Sequence, residues 1–131
     1  MLQAFIHYSL HLILPIFIAL IFFRKNWKKA YFIMLITMIV DLDHLLANPI
    51  FDPNRCSINL HPLHTYYAIT FYVILMFLRT PLNIIGTGLV LHMTADFVDC
   101  LIMYSNCNEC FLDSPAIETL IFFSKFSENW F

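Results

Sequence analysis

Val40-Asp41-Leu42-Asp43-His44 closes an otherwise apolar run that begins at Ala30, and three ionisable side chains at the end of such a run decide how the chain is read. An aspartate at the centre of a bilayer costs roughly 2.5–3.5 kcal/mol on insertion scales, and less near the interface. A lipid-embedded helix with two of them near its end therefore needs compensating charge. The rest of the chain agrees with a lipid setting: of 131 residues, 60% are hydrophobic and 12% charged, with only two glycines, too few polar groups to cover a water-facing surface. This composition predicts a single integral membrane domain over 1–131. The formal net charge of -2 comes with no basic run, so nucleic acid is not an expected partner.

Outward from that stretch, the apolar segments predict an all-α, polytopic bundle of four transmembrane helices, about 2–23, 30–47, 61–78 and 82–104. The first is long enough to cross a ~30 Å hydrocarbon core at about 1.5 Å per residue. It lacks a basic flank before the apolar run and a small-residue cleavage pattern, and reads as a retained span rather than a removed signal peptide. Arg24, Lys25, Lys28 and Lys29 flank Trp27 in the first connection, and Arg79 lies in the third. The positive-inside rule places both in the cytoplasm and both termini outside. Pro62 suits the first turn of the third helix, which should start at His61. Ser114-Pro115 suits the start of a final helix over 116–131, too short and too charged for a span, and expected to lie in the interface or across the bundle. Cys56, Cys107 and Cys110 fall in connections on the outer side, where oxidation is possible. A disulfide from Cys56 to one of the later pair is one arrangement. Cys107-x-x-Cys110 is open to two others, half a zinc site or a redox pair.

Laid on this topology, every histidine falls in the outer leaflet. His7 and His11 are spaced i,i+4; Asp41 and His44 are i,i+3; His61 and His64 are i,i+3; His92, Asp96 and Asp99 follow at i, i+4 and i+7. Each set presents one face to the middle of a bundle. Asp43 is the exception, about 200° around an α-helix from Asp41, and joins only if the helix ends there or if it serves another neighbour. No lysine or arginine lies at that depth to pair with four aspartates. Imidazoles and carboxylates together form the ligand set of a divalent cation such as zinc, manganese or iron, and so large a set suits two ions or one ion with an outer shell of carboxylates.

An early helix with His7 or His11, Asp41-x-Asp43 at the end of the second span, His61 and His64 followed by Thr65, and His92-x-x-x-Asp96 in a late span together resemble the small bacterial inner-membrane proteins described as membrane-bound metal-dependent hydrolases. Their motifs are similar to those of zinc-dependent phospholipase C. The chain departs from that pattern at Val40, where proline is usual, and in the close spacing of His61-Pro62-Leu63-His64, where arginine usually follows the first histidine. The resemblance implies a multi-pass protein of the bacterial inner membrane with zinc, one or two ions, near the periplasmic face. It implies ligands among His7, His11, Asp41, Asp43, His61, His64, His92 and Asp96, and the spacing of His44 from Asp41 adds His44 to the candidates.

A catalytic ion needs an open position for water, whose pKa on zinc falls toward ~7, and a free carboxylate, Asp43 or Asp99, to take the proton. The depth of the site favours a phospholipid or another lipid-linked ester as substrate. Other classes fit the same residues: a structural metal site stapling the bundle, a metal-handling or transport protein, or a haem-binding bundle. Oligomeric state is not encoded in any of these features.

Overall fold

The computed structural model describes residues 2–48, 50 and 55–128. Among them the regular elements are all helical. Helix α1 (Leu2–Leu12) and helix α2 (Leu14–Phe22) form one apolar rod interrupted at Ile13. The interruption follows from Pro15, which cannot donate a hydrogen bond to the carbonyl one turn earlier, that of His11. Together, Leu2–Phe22 make one of two helical stretches long and apolar enough to cross a membrane.

Helix α3 (Trp27–Ile36) gives way to a 3-10 helix over Thr37–Leu46, which corrects the expectation of an α-helix to residue 47. Buried Thr37 stands where the winding changes. Its Oγ1 donates to the Met34 carbonyl at 2.6 Å, the acceptor that the next residue's N–H would otherwise use. A 3-10 helix rises about 2.0 Å per residue, so α3 and this segment together extend roughly 35 Å.

The third helix also starts later than its sequence suggests. His61 precedes a proline, which pushes it out of the helical region, and its ψ is 148°. A 3-10 turn, Pro62–His64, follows, and Thr65 then caps helix α4 (Tyr66–Met76) by accepting from Ala68 N at 3.3 Å. Helix α5 (Leu82–Asn106) is the second stretch long enough to span, and it packs against α1, α3, α4 and the 3-10 segment. Helix α6 (Ile117–Glu128) closes over the end of α5. Leu120 of α6 and Ala116 just before it are fully buried, and Tyr66 Oη meets Thr119 Oγ1 at 2.6 Å. The expected helix beyond residue 128 lies outside the described residues.

The cysteines pair as Cys56–Cys100 and Cys107–Cys110. Cys56 therefore joins α5 itself rather than the connection after it, a correction to the pairing expected from the sequence, and Cys107-x-x-Cys110 closes on itself instead of binding zinc.

The only glycines in the chain, Gly86 and Gly88, let two neighbours approach α5. A Cβ on Gly86 would lie 2.6 Å from Met76 N, in the backbone of α4; one on Gly88 would lie 2.7 Å from Thr37 Oγ1 and 3.0 Å from Met34 Cα. Small residues at such positions are how helices pack where no water drives them together. Gly86→Ala should therefore lower stability by about 1–3 kcal/mol through overpacking, although alanine favours an isolated helix by about 1 kcal/mol. Thermal unfolding in detergent measures this, and an unchanged midpoint would contradict the close approach.

Candidate metal centre

Regular winding carries His92 and Asp96 to the same face of α5, one turn apart, and the 3-10 segment carries Asp41 opposite them. The Pro62–His64 turn swings His64 between the two. The result is a square of contacts: His92 Nε2 to Asp41 Oδ1 at 3.0 Å, His64 Nε2 to Asp96 Oδ2 at 3.1 Å, and His64 Nε2 to Asp41 Oδ1 and His92 Nε2 to Asp96 Oδ2, each at 3.5 Å. All four ligand atoms lie within 4.8 Å of one another. Zinc with bonds of 2.0–2.1 Å in a tetrahedron separates its ligand atoms by about 3.3–3.4 Å. The four distances bracket that value.

Hydrogen bonding joins His92 Nε2 to Asp41 Oδ1 and leaves the other two atoms spare. His64 Nε2 and Asp96 Oδ2 are buried and make no hydrogen bond among the described residues. Buried polar atoms are nearly always partnered, so two orphans aimed at one point fit a cation there. The other nitrogen of His64, Nδ1, lies 3.1 Å from Asp43 Oδ2, which also accepts from Leu63 N at 2.8 Å. A carboxylate holding the outer nitrogen of a ligating histidine fixes its tautomer and direction. The His/Asp groups are thus positioned to hold a metal ion.

The structure places the remaining sequence candidates around this square. Asp43 is buried and directed to His64 and His44, whose Nδ1 lies 3.2 Å from Asp43 Oδ1 and 3.5 Å from Asp41 Oδ1. Asp43, His44 and His64 make a second set of ligand atoms, and His7, His11 and Asp96 a third. His61 stands outside all of these sets. Its ring lies against that of His44, tilted, at 4.0 Å between centroids. Asp99 is turned from the square toward α1, where Gln3 Nε2 donates to its Oδ1 at 2.9 Å and His7 Nδ1 lies 4.0 Å from its Oδ2. Gln3 was missed from the sequence, although it lies one turn before His7 on the same helical face and could have been found by that spacing.

The fold and site define an all-helical protein with two helices able to cross a membrane and with buried His/Asp groups able to hold a metal ion. Residues 1–103 match a family of unknown function, DUF6122, and the chain belongs to that family. The matched region contains every histidine of the chain and the four aspartates described above, and stops short of α6. Comparison with curated proteins and with solved structures finds no match.

Removing His92 should abolish metal binding at the square, whereas Asp43→Asn, which spares the four atoms of the square and removes the charge held behind His64, should weaken it by about 10–100-fold. Competition against a chromophoric chelator reads both. Occupancy should also fall in acid, because the imidazoles bind metal only when neutral. Equal affinities for Asp43→Asn and the unaltered protein would contradict the role given to Asp43.

Proposed function

We propose that the chain is a zinc-dependent hydrolase of the bacterial inner membrane, crossing it four times and acting on a phospholipid or other lipid-linked ester from the periplasmic side. The observation that carries this reading is the uneven burial of the four ligands. The side chains of His64, His92 and Asp96 are at most 5% exposed, while that of Asp41 is 45% exposed and that of neighbouring His44 is 33% exposed. With Asp41 counted, four protein ligands would fill a tetrahedron, so water or substrate would reach the ion at the exposed Asp41 edge, by displacing that carboxylate or as a fifth ligand, and that access favours a catalytic over a closed structural site.

The open edge is bordered by apolar surface. Leu42, Leu45 and Leu46, which follow Asp41 on the same segment, are all more than half exposed. A substrate reaching Asp41 past those leucines would itself be apolar on that side, as a lipid is. The bundle exterior supports a lipid setting, with Phe5, Phe17, Phe32, Ile39 and Phe77 among its exposed side chains. The second span needs no long α-helix, because α3 with its 3-10 continuation exceeds the ~30 Å of a hydrocarbon core. At the irregular backbone of Pro62–Thr65, Leu63 N donates to Asp43 and Leu63 O accepts from Tyr72 Oη, and such internal pairing is what a membrane requires. Two disulfides on the side opposite the basic connections suit an oxidising periplasm.

A divalent cation held here by His64, His92, Asp96 and Asp41 would supply Lewis acidity and make a nearby water more acidic. The protein's own groups divide the remaining work. Asp43 is committed to Leu63 N and His64, so it positions rather than accepts a proton. His44 at the open edge, held between Asp41 and Asp43, is the proton acceptor in reach of water there. Asp99, turned to Gln3 and His7, is not placed for that role.

The test is a panel of ester- and phosphodiester-linked lipids offered to the zinc-loaded protein. Release of product should require zinc, and His44→Ala should lower the rate by about 10²–10⁴-fold, the usual worth of a positioned acid or base, with zinc content unchanged. A zinc-loaded protein that hydrolyses none of the panel, and that fails to fold when His92 becomes alanine, would instead have a structural metal.

A further inference from the structure

Asp96 has two carboxylate oxygens, and each faces a different set of histidines. Oδ2 belongs to the square with His64 and His92; Oδ1 lies 3.3 Å from His11 Nε2, on α1. His11 is 4% exposed, and its Nε2 makes no hydrogen bond among the described residues, as is also true of His7 Nδ1. The contact of His11 with Asp96 thus has the distance of a polar interaction without its direction. His7 and His11 stand one turn apart with ring centroids at 4.4 Å, and one ligand atom from each lies within 4.8 Å of the others in a set with Asp96. Asp99 Oδ2, 4.0 Å from His7 Nδ1, flanks this group, and Gln3 holds Asp99 through its other oxygen.

We propose a second divalent-cation site formed by His7, His11 and Oδ1 of Asp96, with Asp96 bridging it to the ion of the square. The inference rests on the reading of the square as a metal site and deepens it by making the centre binuclear. Two imidazoles and a bridging carboxylate suit zinc, manganese or iron. His7 is 30% exposed, which leaves the second site reachable from outside the bundle, as the open edge at Asp41 leaves the first. A pair of cations sharing a carboxylate is suited to phosphoester substrates, where one ion can act on the attacking oxygen and the other on the leaving oxygen. Within the proposed substrate class this favours a phosphodiester over a carboxylic ester.

Zinc counting tests the second site independently of activity. The purified full chain is equilibrated with zinc, desalted, and analysed by inductively coupled plasma mass spectrometry. The unaltered protein should hold two zinc ions per chain, and His11→Ala one. His7→Ala, at a position open enough to tolerate truncation, should also hold one, and supplies the answer if His11→Ala does not fold. One ion in the unaltered protein would overturn the second site and leave the first standing. None would overturn both. Two ions retained in His7→Ala, whether or not His11→Ala folds, would place the second ion elsewhere and overturn the assignment.

Discussion

Asp41 on the 3-10 segment meets His92 on α5, and the rest of the centre depends on that meeting. It brings a carboxylate and an imidazole to 3.0 Å across two elements separated by some fifty residues of sequence. Unpaired aspartates among apolar helices would be strongly destabilising. Here the described contacts of Asp41, Asp43, Asp96 and Asp99 are to histidines, to Gln3 and to one backbone amide. Histidine is the basic residue that can also bind a metal when neutral, so the arrangement that solves the electrostatic problem of burial is already a ligand set. A lysine at the same place would neutralise an aspartate and end its chemistry.

Two features of the backbone make the meeting possible. Gly88 lets the start of the 3-10 segment, with the Thr37 side chain, lie directly against α5, and Asp41, four residues beyond Thr37, comes beside His92, one helical turn beyond Gly88. The tighter winding then redirects Asp43. Residues two apart diverge by about 160° on an α-helix but by about 120° on a 3-10 helix. That difference lets Asp41 face the square while Asp43 reaches the back of His64. The same winding keeps residues three apart in line, which puts His44 directly over Asp41.

The parts of this arrangement legible in the sequence are those built on regular α-helix. His7 with His11, and His92 with Asp96, could be paired from spacing alone, because α1 and α5 hold 3.6 residues per turn through those positions. The all-helical class followed from apolar runs broken by basic or proline-containing connections. What could not be read depends on departures from regularity. The winding tightens at Thr37 and stays tight to Leu46, which the apolar pattern of the segment does not signal. Pro62 reads as a helix start, yet it also holds His61 extended, so that His61 and His64 do not share a helical face and only His64 enters the square. The partner of Cys56 is open in the sequence, where Cys100 reads as part of an apolar span, whereas in the structure Cys100 is a buried residue of α5 bonded to Cys56. Gln3 escaped notice because a lone amide near a chain end carries little signal until the partner it holds, Asp99, is known.

X-ray absorption at the edge of the metal bound to the purified protein most directly tests whether His64, His92, Asp41 and Asp96 share one ion. The account predicts a shell of nitrogen and oxygen ligands at about 2.0–2.1 Å with the outer-shell scattering of imidazole, and loss of one imidazole contribution in His64→Ala. A shell of sulfur ligands, or of oxygen alone, or an imidazole signal that His64→Ala leaves untouched, would contradict it.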